Sequence, residues 1–106
     1  PLHQVPRLLA RHGLAMQNLG DIDRQTIAGA ISTGTHGTGI AYGGLATQVV
    51  GVTIVTGDGR TRRIGADDPL LAAVSLGLGA LGVLVDVTLQ CVPAFHLAAL
   101  ERPEPV

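Results

Sequence analysis

The chain has 106 residues and a formal net charge of −1, seven Lys and Arg against eight Asp and Glu. That length suffices for one small domain burying roughly two-thirds of its unfolded surface, and the balanced charge makes no electrostatic case for a nucleic-acid partner or an anionic membrane. Hydrophobic residues reach 46%, yet one Phe, one Tyr and no Trp are present, so the core has to be aliphatic.

In chain order, Leu2, Val5, Leu8 and Leu9 recur at helical spacing, and Gly13 suits the cap that ends such a helix. The run from Thr26 to Gly39 follows, with four glycines, five hydroxyl side chains, one histidine and no acidic residue. Glycine lets another group approach the main chain closely. N–H groups converging on one concavity, helped by Ser and Thr hydroxyls, bind phosphate oxygens. A plainer reading, in which the glycines serve only turns, stands beside it.

Val50, Val52 and Ile54 then alternate as a strand, and Gly57-Asp58-Gly59 turns the chain into Arg60 to Ile64, the return arm of a hairpin. Arg60, Arg62 and Arg63 read as a solvated arm and not as a binding patch. Asp67-Asp68-Pro69 starts a helix with an acidic cap and an early proline. Leu70, Leu71 and Val74 supply its buried face, and Gly77 ends it. In the last strand Val83, Val85, Val87, Leu89 and Cys91 are expected on one face, with Leu84, Asp86, Thr88 and Gln90 on the other. Leu84 would then head a polar face, either incidentally or in touch with an apolar ligand. The order of elements is that of an α+β unit with a largely antiparallel sheet flanked by helices.

Several motifs are tested and rejected. Gly29 and Gly34 have the spacing of a P-loop, but Thr35 and His36 follow where lysine is needed. Gly77 to Gly82 fits G-x-G-x-x-G, yet it leaves a helical pattern and opens a strand, the reverse of a dinucleotide fingerprint. It reads as a helix stop and turn. His3, His12 and His96 share no ligand spacing with Cys or carboxylates, so no metal site is assigned. Ser32 and Ser75 lack a nucleophile elbow, and Cys91 reads as a small core residue. A lone cysteine excludes an internal disulfide and leaves the compartment open, cytoplasmic or membrane-associated. No signal-peptide pattern is visible at the start, and the ten apolar residues from Leu76 to Val85 fall short of the ~20 a membrane helix requires. The chain opens at Pro1 beside a helix and closes on a Pro-rich connector. We therefore expect a fragment, with Leu2, Val5, Leu8 and Leu9 lacking their full partners.

The runs Gly13 to Gly20, Gln25 to Gly39, Val55 to Gly59 and Gly79 to Val83 carry a resemblance in both order and spacing. Together they resemble the FAD-linked oxidases of sugar lactones and alditols, the gulonolactone, arabinonolactone and alditol oxidase group of the vanillyl-alcohol oxidase superfamily. The resemblance covers nearly the whole chain, and the string Ser32 to Gly39 is highly specific to that group. It implies that residues 1–95 are the C-terminal half, the second subdomain, of a p-cresol-methylhydroxylase-type FAD-binding domain. Residues 96–106 would connect to a substrate domain.

By the same resemblance, Thr26 and Gly29 are FAD contacts at the head of the loop. Thr33, Gly34, Thr35 and His36 form the segment passing along the cofactor, and Leu84 matches a position, often valine, that touches the flavin. Asp21 stands where relatives often have serine, and a carboxylate beside a pyrophosphate is unfavourable, so it is not included. Residues acting on substrate lie mainly in the substrate domain of such proteins, so no catalytic residue is assigned here. His36 could serve as a general base or as a loop anchor, and we read it as the anchor.

The implied activity is FAD-dependent oxidation of a CH–OH group in a sugar lactone or polyol. Hydride would pass to flavin N5 and the electrons on to oxygen or another acceptor, with remaining segments of the same polypeptide completing the site. Covalent attachment, which many relatives make through a histidine in an earlier segment, lies outside this sequence. The alternatives are another flavoenzyme of the same fold, such as a reductase of cell-wall precursors, and a non-catalytic nucleotide-binding module.

Overall fold

The computed structural model describes residues 1–100 and 102–103. Among these residues, three short helices and five strands follow one another in mixed order: α1 (Val5–Ala10), β1 (Leu14–Ala15), α2 (Ile27–Ser32), β2 (Val49–Val55), β3 (Thr61–Gly65), α3 (Leu70–Ser75), β4 (Val83–Leu89) and β5 (Val92–Pro93). A 3-10 turn at Leu2–Gln4 leads into α1, and another at Leu45–Gln48 leads into β2. The main sheet has the order β3-β2-β4, all antiparallel, while β1 and β5 form a separate antiparallel pair. This is the α+β arrangement with an antiparallel sheet that the sequence implies.

One face of the three-stranded sheet supplies Val49, Val52, Ile54 and Ile64 to the core. The helices cover it with Ala30 and Ile31 from α2 and Leu71 and Val74 from α3, and Leu2, Met16 and Leu45 complete the cluster. Leu2, Val5 and Leu9 do not lack partners: Leu2 is 1% exposed, and Val5 and Leu9 pack against the core. Only Leu8 of that stripe points outward, at 54% exposure.

The hairpin turn forms as the sequence suggests. The Thr56 N–H donates to the Arg60 carbonyl at 2.9 Å, and Gly59 has a φ of +77°. The Asp58 carboxylate accepts from the Thr56 hydroxyl and from the Arg60 N–H, which holds its pKa below the ordinary value, the Thr56 bond being the larger cause. Asp68 begins α3 by accepting from the Leu70 N–H at 2.9 Å.

The last strand departs from simple alternation. Thr53 pairs with Asp86 but Ile54 pairs with Leu84, so Val85 is an extra residue in β4. A second bulge places Val50 as the extra residue in β2, between the pairs Val49 with Leu89 and Gly51 with Thr88. Each bulge turns the side chains beyond it to the other face. Leu84, Val87 and Leu89 therefore pack against the core, while Val83 and Val85 are 68% and 62% exposed. Leu84 stands on the apolar face and not at the head of a polar one. Cys91 is likewise not a core residue; it is half-buried, between β4 and β5.

Candidate functional site

The glycine-rich run folds as a helix and its stop. Thr26, extended at φ −75° and ψ 157°, is the N-cap of α2, and its Oγ1 accepts from the Gly29 N–H at 3.0 Å. Ile27, Ala30 and Ile31 face the core at helical spacing. The opposite face carries only small side chains, Ala28, Gly29, Ser32 and Thr33. Gly34, at φ +74°, ends the helix: its N–H donates to the Ile31 carbonyl, and the Thr35 N–H donates to the Ala30 carbonyl. That pair of bonds is a Schellman cap, in which the left-handed residue is usually glycine.

Two clefts flank the Thr33–Gly34 peptide. The first, about 400 Å³, lies between the small face of α2, the turn at Leu78, Gly79 and Gly82, and Val83 and Leu84 at the start of β4. The second, about 390 Å³, is lined by Gly20, Asp21, Ile22, Gln25, Gly34, Thr35 and His36. Gly29, Thr33 and Leu84 thus meet in one cleft, and Gly34, Thr35 and His36 in the other. Thr26 caps the helix leading into the first.

Several of these polar atoms are already engaged. The Thr33 hydroxyl donates to the Gly29 carbonyl at 2.9 Å, and the Thr35 hydroxyl to Gln25 Oε1 at 3.3 Å. His36 Nδ1 lies 3.0 Å from the Gly37 carbonyl oxygen. A carbonyl only accepts, so Nδ1 carries the proton in that bond and Nε2 keeps a lone pair when the ring is neutral. The bond is local, and the ring is otherwise exposed. Gly37 has no room for a side chain, since a Cβ there would collide with the Leu19 carbonyl oxygen.

Ser32, Ala28, Leu78, Gly79 and Gly82 also line the first cleft and were not singled out as contacts. Their signals are the small-residue face at positions 28, 29, 32 and 33 and the Gly-rich turn after α3. The Ser32 hydroxyl makes no hydrogen bond within the described residues.

Residues 1–65 match the family described as FAD binding domain. The chain belongs to that family. FAD is accordingly its cofactor. The chain is 45% identical to the L-gulonolactone oxidase of Mus musculus over 97 residues, 90% of this chain and 22% of that protein. It is 45% identical to the D-arabinono-1,4-lactone oxidase of Yarrowia lipolytica over 103 residues, 95% of this chain and 20% of the relative. The L-gulono-1,4-lactone dehydrogenase of Mycobacterium tuberculosis is also 45% identical, over 89 residues, 84% of this chain and 21% of the relative. Among solved structures, a His121Ala mutant of cholesterol oxidase from Brevibacterium sterolicum superposes with a TM-score of 0.78 at 24% identity, over 87% of this chain and 20% of that one. The fold is therefore shared with that oxidase. The chain spans about a fifth of the length of these curated relatives.

The first cleft fits parts of FAD on grounds internal to this chain. Among the described residues, no charged side chain lines it. The Ile27 and Ala28 N–H groups at the start of α2 have no intrahelical carbonyl to bond. Gly29 lines it with no side chain of its own, and a Cβ there would press on the capping Thr26 Oγ1 at 3.2 Å. The second cleft carries the Asp21 carboxylate, which opposes a phosphate there.

Proposed function

We propose that the protein to which this chain belongs is an FAD-dependent oxidoreductase acting on a CH–OH group of a sugar lactone or polyol. Support comes chiefly from the 45% identity, over 90% or more of the chain, to enzymes named for gulonolactone and arabinonolactone oxidation. FAD, when bound, supplies the hydride acceptor. Oxygen or another acceptor then takes the electrons.

The residues of this chain bind and orient. Thr26, Gly29, Thr33 and Leu84 form the wall against which the cofactor lies, and Gly34, Thr35 and His36 carry the chain on beside it. The Thr26 hydroxyl accepts from Gly29 yet keeps its hydrogen to donate to a cofactor oxygen. Thr33, whose hydrogen goes to the Gly29 carbonyl, contributes lone pairs instead. The anionic part of the cofactor belongs with the uncharged first cleft. His36 is an anchor of the loop, and the residues that act on substrate lie elsewhere in the polypeptide. Residues 1–95 form one half of the FAD-binding domain and 96–106 lead out of it; residues 101 and 104–106 of that connector fall outside the described residues.

The test is the full-length protein. It should purify yellow, with a flavin absorbance that bleaches anaerobically on adding a sugar lactone or an alditol. Readmitting oxygen, or adding an artificial acceptor in its place, then identifies the acceptor. A colourless protein that takes up no FAD, or a bound flavin that no lactone or polyol reduces, overturns the reading.

A further inference from the structure

Leu78 is the one non-glycine residue with a positive φ among the described residues, at +52°. It sits in a tight turn in which the Ala80 N–H donates to the Gly77 carbonyl at 2.8 Å, and the next residue, Gly79, is at φ +77°. Two central residues at positive φ make a type I′ turn, whose first position is dominated by Asn, Asp and Gly. For a branched aliphatic residue the conformation is strained. Nothing among the described residues compensates. The side chain is 75% exposed and does not belong to the core or to the residues packed against it. The turn's tie to α2, from the Leu78 N–H to the Ser32 carbonyl at 3.3 Å, needs no side chain. Leu78 does, however, line the first cleft together with Ala28, Gly29 and Leu84.

We infer that Leu78 is a positioning residue for the cofactor, an apolar wall held in a strained turn so that it lies against a planar ring of FAD. The inference rests on the FAD-dependent reading above. A flat heteroaromatic ring suits a cleft lined by the small residues Ala28 and Gly29 and by the aliphatic side chains of Leu78 and Leu84. Either ring system of FAD presents such a face. A residue kept at a backbone cost, with its side chain outside the core and in a cleft, acts through what fills that cleft.

The test uses the full-length protein as apoprotein, from riboflavin-limited expression, with Leu78→Asn, Leu78→Gly and Leu78→Met. Melting temperature of the apoprotein and FAD affinity by flavin fluorescence are read together, with FMN and ADP as partial ligands. Asparagine suits the turn, so the L78N apoprotein should melt at or above the wild-type temperature, by up to about 2–4 °C. Its FAD dissociation constant should rise about tenfold, the scale of losing a buried aliphatic contact. L78M should retain near wild-type affinity, and L78G should reproduce the split if L78N folds poorly. Loss of FMN affinity places Leu78 at the flavin and loss of ADP affinity at the adenine; either supports the inference. Unchanged FAD affinity in L78N and L78G overturns it. A fall in apoprotein melting temperature that parallels the loss of affinity also overturns it, because Leu78 would then be packing against other protein. Wild-type protein that takes up no FAD would overturn the functional reading itself, a separate result.

Discussion

The four glycines between Thr26 and Gly39 have different reasons to be glycine. Gly34 closes α2 at positive φ, Gly37 lies against the Leu19 carbonyl, and Gly39 has a φ of +109°, whereas Gly29 lines the first cleft, where an added Cβ would press on Thr26 Oγ1 at 3.2 Å. The composition of the run is read as pointing to a ligand, and the plainer turn reading holds for Gly34, which ends α2. Residue counting cannot separate the two, because either role asks for the same residue type. Gly37→Ala should cost about 1–3 kcal/mol of stability through overpacking. Gly57→Ala, where an added Cβ meets nothing within 4 Å, should be neutral or stabilising by up to ~1 kcal/mol. Melting temperatures of the two variants check the contrast. Gly34→Val should lower both melting temperature and FAD content, since a β-branched residue at φ +74° costs ~1–3 kcal/mol and its Cβ would lie 3.3 Å from Leu76 Cδ1. His36→Ala should weaken FAD retention more than it changes the pH profile of turnover. Normal FAD content with turnover down by more than ~10²-fold would make His36 the base instead.

At the level of elements, the hairpin, the start of α3 and the helical stripe at the beginning of the chain were legible because turn residues, caps and 3.6-residue spacing each carry a local cause. The face of β4 was not. Val83, Leu84 and Val85 are all apolar, so no polar residue marks where the alternation slips, and the bulge at Val85 is set by pairing with β2. That slip moves Leu84 onto the cleft side without altering its implied role. The hairpin turn has its own pH response. Asp58 is held below the ordinary carboxylate pKa, so its contribution is fully present above the unfolded value, about 3.9, and is lost as pH falls through the lower folded value. Hydrogen exchange at the Arg60 amide should therefore quicken relative to the core of β2 as pH drops below about 4. Asp58→Asn should remove that pH dependence.

On the scale of the whole chain, the radius of gyration is 15.6 Å, against about 13 Å for a compact domain of this length. The aliphatic core is continuous, yet Leu78, Leu81, Val83 and Val85 are exposed on or near the rim of the first cleft, and Phe95 and Leu97 after β5. Apolar surface of that kind is covered in a working protein by a ligand or by more protein. Residues 1–106 expressed alone should accordingly be poorly soluble and bind FAD weakly, with no turnover of sugar lactones or alditols. Tight stoichiometric FAD binding by the isolated chain, followed by titration and assay, would show that the one cleft wall is enough.

The central position of β2 also fixes an order of assembly. Its pairing with β3 closes across the turn at Thr56 to Arg60, whereas its pairing with β4 waits for all of α3 to intervene. Short closures precede long ones because the entropy of bringing distant segments together must be met before their contacts form. The hairpin is thus the early piece, and the wall bearing Leu84 and the Leu78 turn is the late one. A cofactor held between α2 and β4, as proposed, would meet its complete seat only after the slow step. It would then act on the lifetime of the finished structure, by resisting the departure of β4, and leave the speed of folding nearly untouched.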